Sequence, residues 1–344
     1  MKWVVRGAIA LVLVIVLAVG GAFAALATFD PNNYKDKITT VVKDSTGRDL
    51  VIGGDIKATL FPILGFEVSD ISMGNPSGYA SNDFLRVSAA QAGVKIMPLL
   101  QRRIELTKVV LDEPSINVIK NTDGSTNLTF GGNKDAKVSA TGGTPAMDLS
   151  IGAVEINNAK VTYTDRATGK TTIIDPLNLT LPGYAPDTAT DVDIDMVLKS
   201  GETTTKIDGT AKAETSSGDG ALYLSNVKAN IATTAPALAE EVKVKLSGSG
   251  HMNPKTQDIK LNIPDMTVSW QDTDVKGKAT ISGKMSAPNT QFSAMASSVN
   301  IDNILSGIKK DGTNKNPEKP LLQVDFLRTL NMDGEINIQK IVLT

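Results

Sequence analysis

The sequence predicts a mainly β protein. It reads as an N-terminal transmembrane helix and a short amphipathic helix, followed by a long twisted antiparallel sheet that forms an open groove. Three observations point there. An uncharged run of 21 residues, Gly7 to Ala27, opens the chain. The remainder is dominated by Val, Ile, Thr and Leu, with aromatic residues at only 4%. That is a strand composition, poor in the large rings on which a compact core relies. Segments of alternating apolar and polar residues recur, punctuated by Gly, Pro and Asn-Pro. A β-sandwich is the alternative, because an apolar sheet face needs a cover and a second sheet can supply it.

The run 7–27 spans about 31 Å as a helix, the thickness of a bilayer's hydrocarbon core. Lys2 and Arg6 precede it and Asp30 follows it. The positive-inside rule therefore leaves the N-terminus in the cytoplasm and sends residues 30–344 across the membrane. A cleaved signal peptide is the competing reading, since Ala22-Phe23-Ala24 and Ala25-Leu26-Ala27 fit a small-residue cleavage pattern. Against it, the run exceeds a usual apolar region of roughly 7–15 residues and continues through Leu26 without a polar end.

A helix is expected next, over 32–46. Asp30 is a good N-cap, and Pro31 suits the first helical position, where its missing N–H costs nothing. Tyr34, Ile38, Val41 and Val42 recur at helical spacing, and Gly47 can take the left-handed conformation that ends the helix. We expect this stripe to plug the open end of the sheet; the other reading lays it flat on the bilayer.

From Leu50 onward successive strands of about 5–12 residues are expected. Turn signals stand at Ala167-Thr168-Gly169, at Ser217-Gly218-Asp219-Gly220 and at Asn253-Pro254. Residues 131–147 read as a flexible Gly/Thr/Ala-rich loop, and 309–319 as a polar one. Two short helices are expected at 301–308 and 320–329, before a last strand-like segment. The organisation is then an anchor at 1–29, a helix plus β domain at 30–130, the loop 131–147, and a repeating β-groove region at 148–344.

Internal similarity is visible. The pattern apolar-x-x-apolar-x-apolar occurs at Val68, Ile71 and Met73; at Leu106, Val109 and Leu111; at Ile151, Val154 and Ile156; and at Ile338, Ile341 and Leu343. The middle two copies extend at a constant offset of 45, with Ile116 and Val118 matching Val161 and Tyr163, and Gly124 matching Gly169. This favours a repeated strand-turn-strand unit. The two-residue gap breaks strict alternation and predicts a bulge or tight turn at each copy.

The strands have one wet and one apolar face. Val242, Val244 and Leu246 oppose Lys243 and Lys245; Val192, Ile194 and Met196 oppose Asp191, Asp193 and Asp195. If the sheet curls into a trough, its apolar inside can take lipid chains. The groove-lining candidates are Val109, Leu111, Ile116, Val118, Val154, Ile156, Val161 and Tyr163.

Other chemistry finds little support. The chain has no Cys and one His, so a disulfide framework and a thiolate metal site are excluded. His251 reads as an ordinary strand residue near a turn. A net charge of −2 argues against a nucleic-acid partner. No G-x-S-x-G elbow, paired-carboxylate signature or histidine-based site appears, so an exported hydrolase is disfavoured. We expect no catalytic residues, no metal and no cofactor.

At the N-terminal end the residues carry a family signature. The anchor is followed by Asp30-Pro31-Asn32 with Tyr34-Lys35, then Thr46-Gly47-Arg48-Asp49-Leu50, Ile52-Gly53-Gly54-Asp55-Ile56, Leu60-Phe61-Pro62 and Pro98-Leu99-Leu100. Asp112-Glu113-Pro114-Ser115-Ile116 then leads to Asn121-Thr122-Asp123-Gly124-Ser125-Thr126-Asn127-Leu128, with Leu128 where the family's pattern has Trp. A second match lies at Phe326-Leu327-Arg328 and Leu330-Asn331-Met332-Asp333-Gly334. In these motifs the chain resembles the AsmA family of membrane-anchored periplasmic proteins with repeating β-groove domains. Family members usually run on for a few hundred residues past the second match, so a short or a truncated member is expected, with an unpaired apolar edge strand at its end as an association site.

The resemblance implies an inner-membrane-anchored protein, with its bulk in the periplasm, that supports the outer membrane. For larger relatives it implies carriage of phospholipid along an apolar groove. The expected partners are thus the membrane, phospholipid acyl chains and other envelope proteins. A periplasmic scaffold for outer-membrane proteins, acting through exposed β edges, is the alternative.

Overall fold

A computed structural model describes residues 30–59, 64–79, 83–95, 106–128, 151–183, 185–238, 240–285, 287–300 and 331–342. The apolar run 7–27, the loop 131–147 and the two short helices expected within 301–329 lie outside the described residues.

The start of the chain follows its capping chemistry. The Asp30 side chain accepts the Asn32 backbone N–H at 2.9 Å, and Pro31–Tyr34 form one 3-10 turn. Helix α1 (Lys35–Thr46) follows, so the helix expected from residue 32 begins with a tighter turn. Gly47 closes it at φ 72°, donating its N–H to the Lys43 carbonyl at 2.8 Å. Of the expected stripe only Val42 is half-buried, together with Thr39 and Thr46, while Tyr34, Ile38 and Val41 stay 47%, 40% and 57% exposed.

The strands are β1 (Leu50–Ile52), β2 (Ile56–Thr59), β3 (Leu64–Gly74), β4 (Asp83–Val94), β5 (Leu106–Asp112), β6 (Ser115–Lys120), β7 (Ile151–Asp165), β8 (Lys170–Leu181) and β9 (Thr190–Ser200). After them come β10 (Thr203–Thr215), β11 (Leu222–Thr234), β12 (Val242–Asn253), β13 (Asp258–Trp270), β14 (Thr273–Lys284), β15 (Ala287–Ala296), β16 (Val299–Asn300), β17 (Asn331–Ile338) and β18 (Ile341–Val342). All but β16 and β18, which pair with each other, belong to one 16-stranded sheet. The described strands therefore make one long sheet rather than the two packed sheets of a sandwich.

The sheet is mixed, not antiparallel throughout as expected. From β7 to β15 each strand is antiparallel to the next, but β7 runs parallel to β5 and β6, and β17 runs parallel to β15. In both places a long segment separates the strands in sequence, long enough for the chain to return and enter the sheet in the same direction.

The interruptions predicted by the two-residue gap are present at three of the four copies. Asp70 sits at φ 51° between Val68 and Ile71. In the β4–β5 register Thr107 is an extra residue on β5, and β17 breaks before β18 between Ile338 and Ile341. Further irregularities fall at Glu113 (φ 50°), Asn158 (φ 53°) and Asn226 (φ 51°).

Among the described residues full burial is confined to small clusters. In one, Arg48 is 2% exposed with its guanidinium 4.2 Å from the centroid of the buried Phe84 ring. It donates to the carbonyl of Asn127, a residue with no exposed surface. The Asn127 side chain accepts the Ile119 N–H at 2.8 Å and donates to the Asn117 carbonyl and Asn75 Oδ1, both at 2.7 Å.

Candidate functional site

The eight candidate residues meet as four cross-strand pairs. Val109 stands opposite Val154 and Leu111 opposite Ile156 across β5–β7; Ile116 stands opposite Val161 and Val118 opposite Tyr163 across β6–β7. The offset of 45 in the sequence is the register of this parallel ladder. The two similar segments lie side by side, so each apolar position meets its own counterpart.

All four pairs face the same way. Leu111 and Ile116 are five residues apart and would point to opposite faces in a straight strand. The irregularities at Glu113 and Asn158 supply the extra residue that restores phase. The register confirms it: Val161 pairs with Ile174, and Ile174 with Leu198, which lies four residues from Ile194 on β9. Ile194 in turn pairs with Leu179, the partner of Ile156.

These residues belong to a longer row. Starting at β2, the cross-strand partners run Ile56, Val68, Ala90, Leu111, Ile156, Leu179 and Ile194. They continue through Gly209, Ala229, Leu246, Met266, Gly277, Ala294 and Ile336. Every member is apolar or glycine. At about 4.8 Å per strand the row is roughly 60 Å long. The next row, from Lys57 through Glu67, Gln91, Val110, Glu155, Thr180, Asp193, Thr210, Lys228 and Ser247 to Asp265, is polar except for Val110.

The apolar row is only partly withdrawn from water. Ile56 and Gly209 are buried, the members between Val68 and Ala294 are otherwise half-buried, and Ile336 is 64% exposed. Of the eight candidates, seven are half-buried and Tyr163 is exposed. A large aliphatic side chain left partly in water forgoes part of the roughly 1.5–3 kcal/mol that full burial gives.

The alternation on each strand was legible in the sequence. The members on β2–β4 and β8–β17 escaped selection because cross-strand alignment depends on bulge positions that alternation does not reveal.

The opposite face holds a depression of about 990 Å³ across β9–β13, lined by Asp191, Asp193, Lys212, Lys228, Ser247 and Pro264 among others. Lys212 and Asp191 pair there at 2.9 Å. Polar and apolar residues both line this hollow, and it includes none of the eight candidates. His251 stands in β12 with its ring 5.0 Å from that of Tyr223. Among the described residues no group of three or more His, Asp or Glu is placed to hold a metal ion, and no helix is long and apolar enough to cross a membrane.

The fold and this face define a class: a long single-sheet β protein whose described strands present one continuous, incompletely buried apolar row. The chain belongs to the AsmA family, whose model matches residues 1–314. No curated protein and no solved structure matches it significantly.

Proposed function

We propose that this is a non-enzymatic lipid-handling protein of the bacterial envelope. Its sheet curls into an open groove whose apolar row shields phospholipid acyl chains. The run 7–27 holds it in the inner membrane with the N-terminus in the cytoplasm and the bulk in the periplasm, where it supports outer-membrane biogenesis. The observation that carries this reading is the unbroken row from Ile56 to Ile336, apolar or glycine throughout, most of whose members stop short of full burial. Each methylene it keeps from water is worth about 0.8 kcal/mol, so even one fatty-acyl chain is a strong ligand for such a surface. Membership of the AsmA family is compatible with an envelope role.

The test is to purify the full chain in detergent and identify co-purifying lipid by mass spectrometry. Phospholipid is expected with the wild-type chain. Val109→Asp and Val154→Asp place charge on neighbouring strands of the apolar face and are expected to remove most of it. Because both sites are half-buried, these variants should keep the wild-type circular dichroism spectrum. Absence of lipid, or lipid unchanged in folded variants, overturns the proposal.

A further inference from the structure

We propose that helix α1 docks on the surface of the bilayer through Ile38 and Val41, and that this seats the first residue of the apolar row at the membrane. The inference rests on the proposed function only for the anchor at 7–27.

The helix uses two of its sides. One, with Thr39, Val42 and Thr46, is half-buried and lies towards β1. The other carries Ile38 and Val41, 40% and 57% exposed, with Tyr34, 47% exposed, one turn earlier. At 100° per residue Ile38 and Val41 lie about 60° apart on the helix, on a side whose middle is about a quarter-turn from that of Thr39, Val42 and Thr46, with Ile38 bordering Val42. Lys37 and Asp44, both exposed, flank the stripe on one side, so the contact rests on its apolar residues rather than on net charge. Tyr is well placed where one end of a ring is apolar and the other wet.

Chain length names the occupant. The apolar run ends at residue 27, and the 3-10 turn starts at Pro31. Four residues reach at most about 14 Å, so a chain anchored through residue 27 cannot carry α1 far beyond the headgroup layer.

The docked helix would not be loosely attached to the sheet. Asn32 Oδ1 accepts the Ile56 N–H at 2.9 Å, and Asn32 Nδ2 donates to the Ile56 carbonyl at 3.2 Å. Lys35 pairs with Asp55 at 3.5 Å. Ile56 is the first member of the apolar row. The clamp therefore fixes the row's start relative to the stripe.

The chain has no cysteine, so a single introduced one carries a label at a single site. Val41→Cys and Thr40→Cys, each in the full chain, are labelled with an environment-sensitive dye. They are then reconstituted in vesicles of phosphatidylethanolamine and phosphatidylglycerol. The dye at position 41 is expected to shift to the blue and to be quenched severalfold more strongly by bromine-labelled lipid than the dye at position 40. Equal, water-like signals at both positions overturn the inference. So does a dye at 41 that is blue-shifted but not quenched by lipid, because protein then covers it. Retention on the vesicles through an alkaline wash reports the anchor separately, and a chain that washes off overturns both the anchor and the docking. A docked helix without co-purified lipid leaves this inference standing while the lipid-handling reading fails.

Discussion

Asn127 shows how much one polar side chain holds in this fold. It has no exposed surface, and it satisfies the Ile119 N–H, the Asn117 carbonyl and Asn75 at once. It ends the β6 edge with a side chain where a strand would otherwise pair. Asn127→Ala strands a buried donor and a buried acceptor, each costing about 1–3 kcal/mol. We expect a loss of about 2–4 kcal/mol in urea unfolding, with Asn127→Asp only partly restoring it because the Asn117 carbonyl still lacks a donor. The sequence displayed the motif Asn121 to Leu128 but not this role, since Asn117, Ile119 and Asn75 converge only after β6 has folded back beside β4. The apolar residues Val109, Leu111, Val154 and Ile156 were legible at this scale, because alternation alone assigns a face.

Among the elements, the parallel ladder of β5 and β6 with β7 is the join between the residues before 129 and those after 150. Gly152 is part of it for a steric reason. A Cβ at that position would lie 1.9 Å from the Thr107 carbonyl oxygen, a backbone atom that cannot move without the strand. Gly152→Ala is expected to cost about 1–3 kcal/mol, as overpacking does, and to speed amide exchange in β5 and β7 ahead of β11–β14. Gly218→Ala, in a turn where the nearest atom is 3.7 Å from a built Cβ, is expected to stay within about 0.5 kcal/mol of wild type. The bulges before Ile71 and at Thr107 were foreseeable from the apolar-x-x-apolar gap, which no straight strand can satisfy. Those at Glu113 and Asn158 were not, because Leu111 and Ile116, or Ile156 and Val161, are spaced as two separate strands would be. For helix α1, capping chemistry was readable at Asp30 and Gly47, whereas the side it turns to the sheet was set by the Asn32–Ile56 clamp.

For the whole molecule, acid is the condition to which many turns respond together. Asp123 is held below the ordinary carboxylate value by the Ser125 hydroxyl and N–H, Asp187 by Ser217, and Asp219 by the Ala221 N–H and Ser216. The unfolded chain takes up these protons near 3.8, the folded chain only at lower pH. The folded state thus binds fewer protons, so stability rises with pH in this window. It is complete above about pH 5 and is lost as pH falls through the depressed values. The thermal midpoint should be flat from neutral pH to about 5 and then drop, and Asp187→Asn with Asp219→Asn should make the drop shallower. Among the described residues few side chains are fully buried, so the ladders and turns carry much of the stability and such local bonds matter here. By itself the sequence determined that the chain would be strands, that each strand would have one wet and one apolar face, and where the helix would be capped. Those properties depend on neighbours within a few residues. Only the tertiary structure decided that β7 and β17 enter the sheet parallel, that the offset of 45 is a ladder register, and that apolar positions on separate strands line up from Ile56 to Ile336. Alignment across strands depends on hydrogen bonds between residues far apart in the chain, and one bulge more or less would turn a strand's apolar side to the other face.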